Sequence, residues 1–344
     1  MASRATSLLA RFRPPAALIL AYHSVQEYPE AFRDTIGLSN IHSTHLFAQH
    51  LELVARKFNP VALADLLRGL HDHQRVPSRA VAITFDDGYA DNYGVAVPLL
   101  ERFGIPATFY VTAGAIDPND AALWFIRLRH AFATTQKPEW LDGKRGRAYS
   151  LADTEKRHRA FLEACEHCAR VVPPAQEDIA TSIERELEVE PVPRNDLMMT
   201  WDQVRKLHRK GYTVGSHTLS HPNMAHIGEK EARREFEESK RKLEEELGAE
   251  VRHFSYPHPV LNPNWTQGTL ALCRDAGFKS AVLTANGPVR TGADPYALPR
   301  VYTPQNEFDF LWHLERTLLQ RQALGTSTST SARLTDGEEE LKGA

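Results

Sequence analysis

The chain has 344 residues, 42% of them hydrophobic and 25% charged, with a formal net charge of −3. This length suits one large single-core domain or two smaller ones, and the near-neutral charge gives no electrostatic reason to expect nucleic acid as a partner. No apolar run reaches the ~18 residues of a membrane-spanning helix, and three cysteines, Cys165, Cys168 and Cys273, cannot pair off into a disulfide framework.

In chain order, 1–14 reads as an N-terminal extension in which basic residues flank one apolar patch, Leu8-Leu9-Ala10, before Pro14-Pro15. That patch is shorter than a signal-peptide core, so the expected location is the cytoplasm, peripheral to a membrane at most. Apolar strand-like runs follow at 17–22, 81–85, 107–111, 212–216, 254–256, 280–283 and 298–302. Amphipathic helical stretches accompany them at 44–57, 62–71, 95–103, 229–247 and 308–320, and Gly104 and Gly248 stand where helix C-caps belong. Strands alternating with helices predict an α/β fold with a parallel sheet. Closed into a (β/α) barrel, such a sheet collects the loops after its strands on one face, the face where chemistry is expected.

Between the third and fourth runs, 117–199 reads as polar helices, a helical insertion within a single domain spanning 15–322. The stretch 323–344 holds Gly-Thr-Ser-Thr-Ser-Thr-Ser and Asp-Gly-Glu-Glu-Glu, too little apolar surface to order itself, and reads as a disordered tail.

Two motifs carry chemistry. Thr84-Phe85-Asp86-Asp87-Gly88-Tyr89 follows a buried run, which puts two adjacent carboxylates at a strand end. Such a pair is costly without a cation, although an aspartate cap and a Gly88 turn would give the same hexapeptide a structural role. Ser216-His217-Thr218-Leu219-Ser220-His221 also follows a strand-like run. Histidines four apart turn both imidazoles toward one ion across a helical turn, and imidazole suits zinc and similar metals. Two histidines and one carboxylate leave positions open on the ion, as a catalytic site needs, while the second aspartate is free to take a proton from water.

Other features read as packing or surface. Cys165-Glu166-His167-Cys168 lies in a helical stretch without a second ligand pair, and Trp124, Trp201 and Trp265 are expected in the core rather than stacked on a ligand. The charge run from Glu235 to Glu246 reads as the solvated face of a barrel helix.

The Asp-Asp and His-x-x-x-His motifs, together and in this order, resemble the polysaccharide deacetylase (NodB-homology) family, carbohydrate esterase family 4, over roughly residues 18–302. Supporting stretches are Ala21-Tyr22-His23-Ser24, Phe254-Ser255-Tyr256-Pro257 and Asp294-Pro295-Tyr296-Ala297-Leu298-Pro299-Arg300. The resemblance implies a distorted (β/α)7 barrel with Asp86 as catalytic base. It implies Asp87, His217 and His221 as ligands of one divalent metal ion, Zn2+ by first choice and Co2+ or Ni2+ in the same ligands.

The chain departs from the family at two motifs. Ser255-Tyr256-Pro257-His258-Pro259 stands where the family commonly has Arg-x-Pro-Tyr-Gly, so the arginine that braces the base is missing there, and Arg300 is the candidate to approach from the last strand. The Leu-x-x-His that supplies a general acid has no counterpart after Arg300; His313 falls on a helix, which leaves His23 or His258 as stand-ins. The backbone N–H of His258 is the expected oxyanion donor, and Tyr256, Pro257 and Arg300 are the expected substrate-binding residues. The implied activity is hydrolysis of acetyl groups from N-acetylated sugars of a polysaccharide or glycoconjugate precursor, with an acetylated carbohydrate as the partner. The alternatives are an O-acetyl esterase on acetylated glycan and a non-catalytic carbohydrate-binding module.

Overall fold

The computed structural model describes residues 16–71, 76–116, 122–192 and 197–320; the extension 1–14 and the tail 323–344 lie outside the described residues. Seven parallel strands form the centre: β1 (Ala16–Tyr22), β2 (Ala80–Phe85), β3 (Ala107–Val111), β4 (Thr213–Ser216), β5 (His253–Ser255), β6 (Ser280–Leu283) and a split β7 (Leu298–Pro299, then Val301–Tyr302). They pair in sequence order, and the second half of β7 returns to β1 in the register Leu20↔Val301 and Ala21↔Tyr302, which closes the sheet into a barrel.

β2 is buried at all six residues and β1 at six of seven, as expected of strands with a packed lumen on one side and helices on the other. The pleat sorts their residues. Ala17, Ile19, Ala80, Ala82, Tyr110, Val282 and Leu298 share one apolar cluster, while the alternate residues Leu18, Leu20, Val81, Ile83 and Phe109 share another with the helices. Gly215 marks how tight the first cluster is: a Cβ there would lie 2.5 Å from the Tyr110 ring and 2.8 Å from the His253 carbonyl.

The helices are α1 (Thr44–Lys57), α2 (Leu63–His71), α3 (Val97–Phe103), α4 (Trp124–Thr134), α5 (Thr154–Ala169), α6 (Ala175–Glu186), α7 (Trp201–Arg209), α8 (Glu229–Leu247), α9 (Gln267–Asp275) and α10 (Glu307–Leu319). Helix α1 starts where the Ser43 side chain accepts from the Leu46 N–H, and it buries Phe47, His50, Leu51 and Val54 at helical spacing. Left-handed Gly104 and Gly248 end α3 and α8 as the sequence predicts.

The insertion is not wholly helical. Besides α4, α5 and α6 it holds an antiparallel hairpin, Glu139–Asp142 with Arg147–Ser150. Each arm is only four residues long with at most alternate residues buried, too short a pattern to separate from polar loop. The insertion has an apolar core of its own, built on Trp124, Phe132, Trp140, Phe161, Cys165 and Cys168. The two cysteines are buried and unpaired, and Trp124 is 1% exposed, so all three pack as expected. No helix among the described residues is long and apolar enough to cross a membrane.

Candidate active site

Continuing the strand alternation past the apolar cluster brings Thr84 and Asp86 from β2, Ser255 from β5 and Arg300 from the break in β7 to one place. Arg300, 1% exposed, donates to both oxygens of Asp86, Nη1 to Oδ1 at 2.7 Å and Nη2 to Oδ2 at 2.6 Å. The same guanidinium reaches Ser255 Oγ at 3.0 Å and Thr84 Oγ1 at 3.3 Å, and Ser255 Oγ also donates to Asp86 Oδ2 at 3.2 Å. Burial opposes the Asp86 charge, yet the Arg300 cation outweighs it and holds the carboxyl below its ordinary pKa. Asp86 is therefore an anion clamped in a fixed orientation.

Asp87 faces a different environment. At φ 71° its backbone is left-handed, a conformation rare for a residue with a Cβ. Its Oδ1 lies 3.4 Å from His217 Nε2 and 3.4 Å from His221 Nε2, yet neither contact closes as a hydrogen bond, and the oxygen is buried without a partner. The three donor atoms lie within 4.8 Å of one another, and all three residues are buried. His217 Nδ1 bonds the Ser255 carbonyl at 2.8 Å; only a protonated Nδ1 can donate there, which leaves the Nε2 lone pair directed at Asp87.

This donor set fits a divalent ion. A tetrahedral ion with bonds of about 2.1 Å has ligand–ligand edges of about 3.4 Å, the separation found from Asp87 to each imidazole. A buried carboxylate oxygen that converges with two imidazole nitrogens and closes no hydrogen bond is otherwise left uncompensated.

The remaining sequence candidates separate. His23 is half-buried and directly follows β1. Its segment is stapled by Asp91, whose carboxylate accepts from Ser24 Oγ and Val25 N–H, and by Asn92, which donates to the His23 carbonyl. His258 is exposed, with its ring 3.4 Å from Asn262. The substrate-binding set is corrected. Tyr256 is fully buried against Phe236 and Phe254, because it follows Ser255 on the outward side of β5, and Pro257 is buried too. Arg300 is consumed by its double contact to Asp86 and has no donor facing solvent to offer a sugar.

Two more sequence readings are revised. Residues 217–221 form an irregular loop, not a helical turn, with Thr218 at φ 69° and His221 at φ 59°. Glu235 is 2% exposed and bonds that loop, so it does not belong to the solvated face of α8. The signal was present: Ala232, Phe236, Ser239 and Leu243 form the buried stripe of α8, and Glu235 lies on it at i+3 from Ala232 and i−4 from Ser239.

The insertion packs on this face. Trp124 Nε1 donates to the His221 carbonyl at 3.3 Å, the Phe125 ring lies 4.7 Å from the His221 ring, and Asn223 N–H donates to the Ala169 carbonyl.

Known proteins share these features. Over 122 residues the chain is 27% identical to the poly-beta-1,6-N-acetyl-D-glucosamine N-deacetylase of Escherichia coli K12, a match covering 34% of this chain and 18% of that protein. The chain thus spans under a fifth of the length of that curated relative. Among solved structures, a Streptococcus pyogenes deacetylase, PplD, aligns over 88% of this chain and 99% of its own with TM-score 0.58 and 18% identity. IcaB from Ammonifex degensii aligns over 88% and 98% with TM-score 0.57 and 18% identity. At such identities the two structures bear on the fold alone. The family profile of polysaccharide deacetylases matches residues 73–281, well over half of the chain, and on that match the chain belongs to the polysaccharide deacetylase family.

Proposed function

We propose that this chain hydrolyses the acetamide of N-acetylated sugars, releasing acetate and a free amine, with Asp87, His217 and His221 holding one divalent ion. The observation that carries the reading is the pairing of an Arg300-clamped Asp86 with the adjacent, uncompensated Asp87–His217–His221 group. When bound, the ion supplies a Lewis acid that polarises the acetyl carbonyl and acidifies water.

The chain's own groups do the rest. Asp86, ionised through Arg300, takes the proton from the attacking water as the C–O bond forms. The His258 backbone N–H is the proposed donor to the developing oxyanion; the N–H two residues earlier, on Tyr256, is already bonded to the Val282 carbonyl. The C–N bond then breaks, and His23, on the segment after β1 that Asp91 and Asn92 hold, donates a proton to the departing amine. With Tyr256, Pro257 and Arg300 withdrawn as sugar contacts, Tyr302 takes that role. It lies two residues beyond Arg300 on the same side of β7, is 45% exposed, and sits near enough to feel the charges of Arg300 and Asp86. The insertion, packed beside His221, walls the cleft on the opposite side. Domain limits of 15–322 enclose all these groups.

The name of the Escherichia coli relative supports an N-acetylglucosamine polymer or its precursor as substrate. The test is acetate release from a panel of N-acetyl and O-acetyl sugars, with and without chelator. Chelator-sensitive release from N-acetyl sugars is expected. Release from O-acetyl sugars alone would make the chain an esterase, and sugar binding without release would make it a non-catalytic module.

A further inference from the structure

The loop 217–221 carries two of the three donors of the proposed metal centre, yet it has no regular secondary structure to hold it. Thr218 and His221 are both left-handed at φ 69° and 59°, conformations that cost on the order of 1–3 kcal/mol each and persist only where the surroundings over-determine them. The surroundings are identifiable. On one side, the Thr218 and Leu219 carbonyls accept from Ala113 and Gly114 N–H at 3.0 and 2.8 Å, and a Cβ on Gly114 would stand 2.3 Å from the Leu219 oxygen. On the other side, Glu235 Oε2 accepts from Leu219 N–H at 2.8 Å and Ser220 N–H at 2.9 Å, and its Oε1 accepts from Ser220 Oγ at 2.6 Å. One turn further along α8, Ser239 Oγ bonds Ser216 Oγ at 2.7 Å at the point where β4 enters the loop.

Three donors from two consecutive residues thus end on one carboxylate that is 2% exposed. Bonds to a charged acceptor in a dry site are stronger than neutral ones and fix direction as well as distance. The residue that follows the gripped pair is His221, whose N–H is in turn held by Thr218 Oγ1 at 2.9 Å.

From this geometry we propose that Glu235 is the positioning residue of the metal centre: it holds 217–221 in the form that has Thr218 and His221 left-handed, so that His221 Nε2 meets Asp87 and His217 before any ion arrives. The proposal rests on the reading of Asp87, His217 and His221 as metal ligands. Glu235 touches neither ion nor substrate, so its effect appears in affinity and coordination geometry.

The experiment titrates the metal-free chain and its variants with cobalt(II), reading the affinity and the visible absorption at saturation, together with the unfolding temperature of each metal-free form. Glu235→Ala is expected to weaken cobalt binding by roughly 10–100-fold, the usual effect of losing a partner behind a ligand, and to change the absorption of the loaded form. Glu235→Gln is expected to recover most of the affinity, because its amide oxygen keeps both backbone N–H bonds while Ser220 turns its hydroxyl to accept. Ser220→Ala removes one of the three bonds and should fall between them, and it decides the matter if Glu235→Ala does not fold. Glu238→Ala, on the exposed side of the same helix and paired with Arg234, is the control and should bind like the parent. Affinity within about twofold of the parent in Glu235→Ala, or in Ser220→Ala where that variant decides, overturns the proposal. So does a lower unfolding temperature with parental affinity and absorption. A parent chain that binds no cobalt overturns the metal reading itself, and is recognised because it fails before any variant is compared.

Discussion

Asp86 and Asp87 are neighbours in the chain, yet they occupy opposite electrostatic regimes. Asp86 lies on the strand alternation of β2, meets Arg300 across the lumen, and has its charge neutralised within the protein. Asp87, turned by a left-handed backbone, meets two imidazole Nε2 atoms at 3.4 Å and leaves its Oδ1 without a hydrogen bond. Two identical neighbours meet different partners because a single positive φ turns their side chains apart, and the roles proposed for them, base for Asp86 and ligand for Asp87, follow from that. Arg300 answers the charge of Asp86, and in the proposed function an ion would answer that of Asp87.

The largest effect tests the unanswered side. Asp87→Ala and His217→Ala should each lose the ion, and with it all acetate release; elemental analysis of purified protein should drop from about one metal per chain to none. Metal retained in both would break the distinction between the two aspartates.

Asp86→Asn addresses the answered side. It should keep its metal while acetate release falls by roughly two to four orders of magnitude, the usual contribution of a positioned base. Loss of metal in this variant would mean that both aspartates are ligands.

The Arg300 clamp gives the next effect. Arg300→Met leaves Asp86 buried without its cation, at a cost of about 3–5 kcal/mol in unfolding free energy, and adding Asp86→Asn should restore much of that stability. Denaturant melts of the two single variants and the double variant measure the coupling. Where Arg300→Met remains folded, the acid limb of its pH–rate profile should move to higher pH, because removing the cation raises the Asp86 pKa. Additive losses would show that Arg300 does not answer Asp86.

The same contrast between answered and unanswered groups recurs behind β1, at a smaller scale. His42 and His50 are buried, and burial, the dominant cause, pulls their pKa values from 6.5 to about 4 and about 3. Both are neutral when folded, whereas the unfolded chain takes up protons near pH 6.5. Stability is thus fully present above that pH and lost as pH falls toward about 4 for His42 and about 3 for His50, by at most ~1.4 kcal/mol per pH unit for each group. His50→Phe keeps a ring stacked on Phe310, 3.8 Å away in the parent, and should remove the His50 share of that slope, leaving those of His42 and of His253, which is likewise buried and pulled down to about 4. An unchanged slope in urea melts between pH 6 and 4 would place the proton uptake elsewhere.

The smallest effect is on the outer face of α8. Arg241→Ala breaks an exposed i, i+4 pair with Glu245 and should cost no more than about 0.5 kcal/mol, in contrast to Glu235, six residues earlier on the same helix.

Much of this was legible in the sequence because it is periodic or adjacent. Strand alternation and helical spacing depend on local backbone geometry, so the seven strands, the Gly104 and Gly248 caps and the placement of Asp86-Asp87 and His217/His221 at strand ends could be read in chain order. The short hairpin of the insertion escaped because its arms bury too few residues to show a period.

What only the tertiary structure decided are pairings between distant residues. Arg300 meets Asp86 across 214 positions of sequence, and the meeting exists because β7 closes the barrel on β1 and brings its break opposite the end of β2. Tyr256 was expected as a substrate contact within the family-like stretch 254–257; the pleat of β5 turned it outward into the core. Glu235 looked like one carboxylate in a solvated run; the packing of α8 against the His217–His221 loop made it the one that is buried. Composition and period report which side of an element is apolar. Which buried charge faces which partner is decided by barrel closure, and no local pattern of residues carries that information.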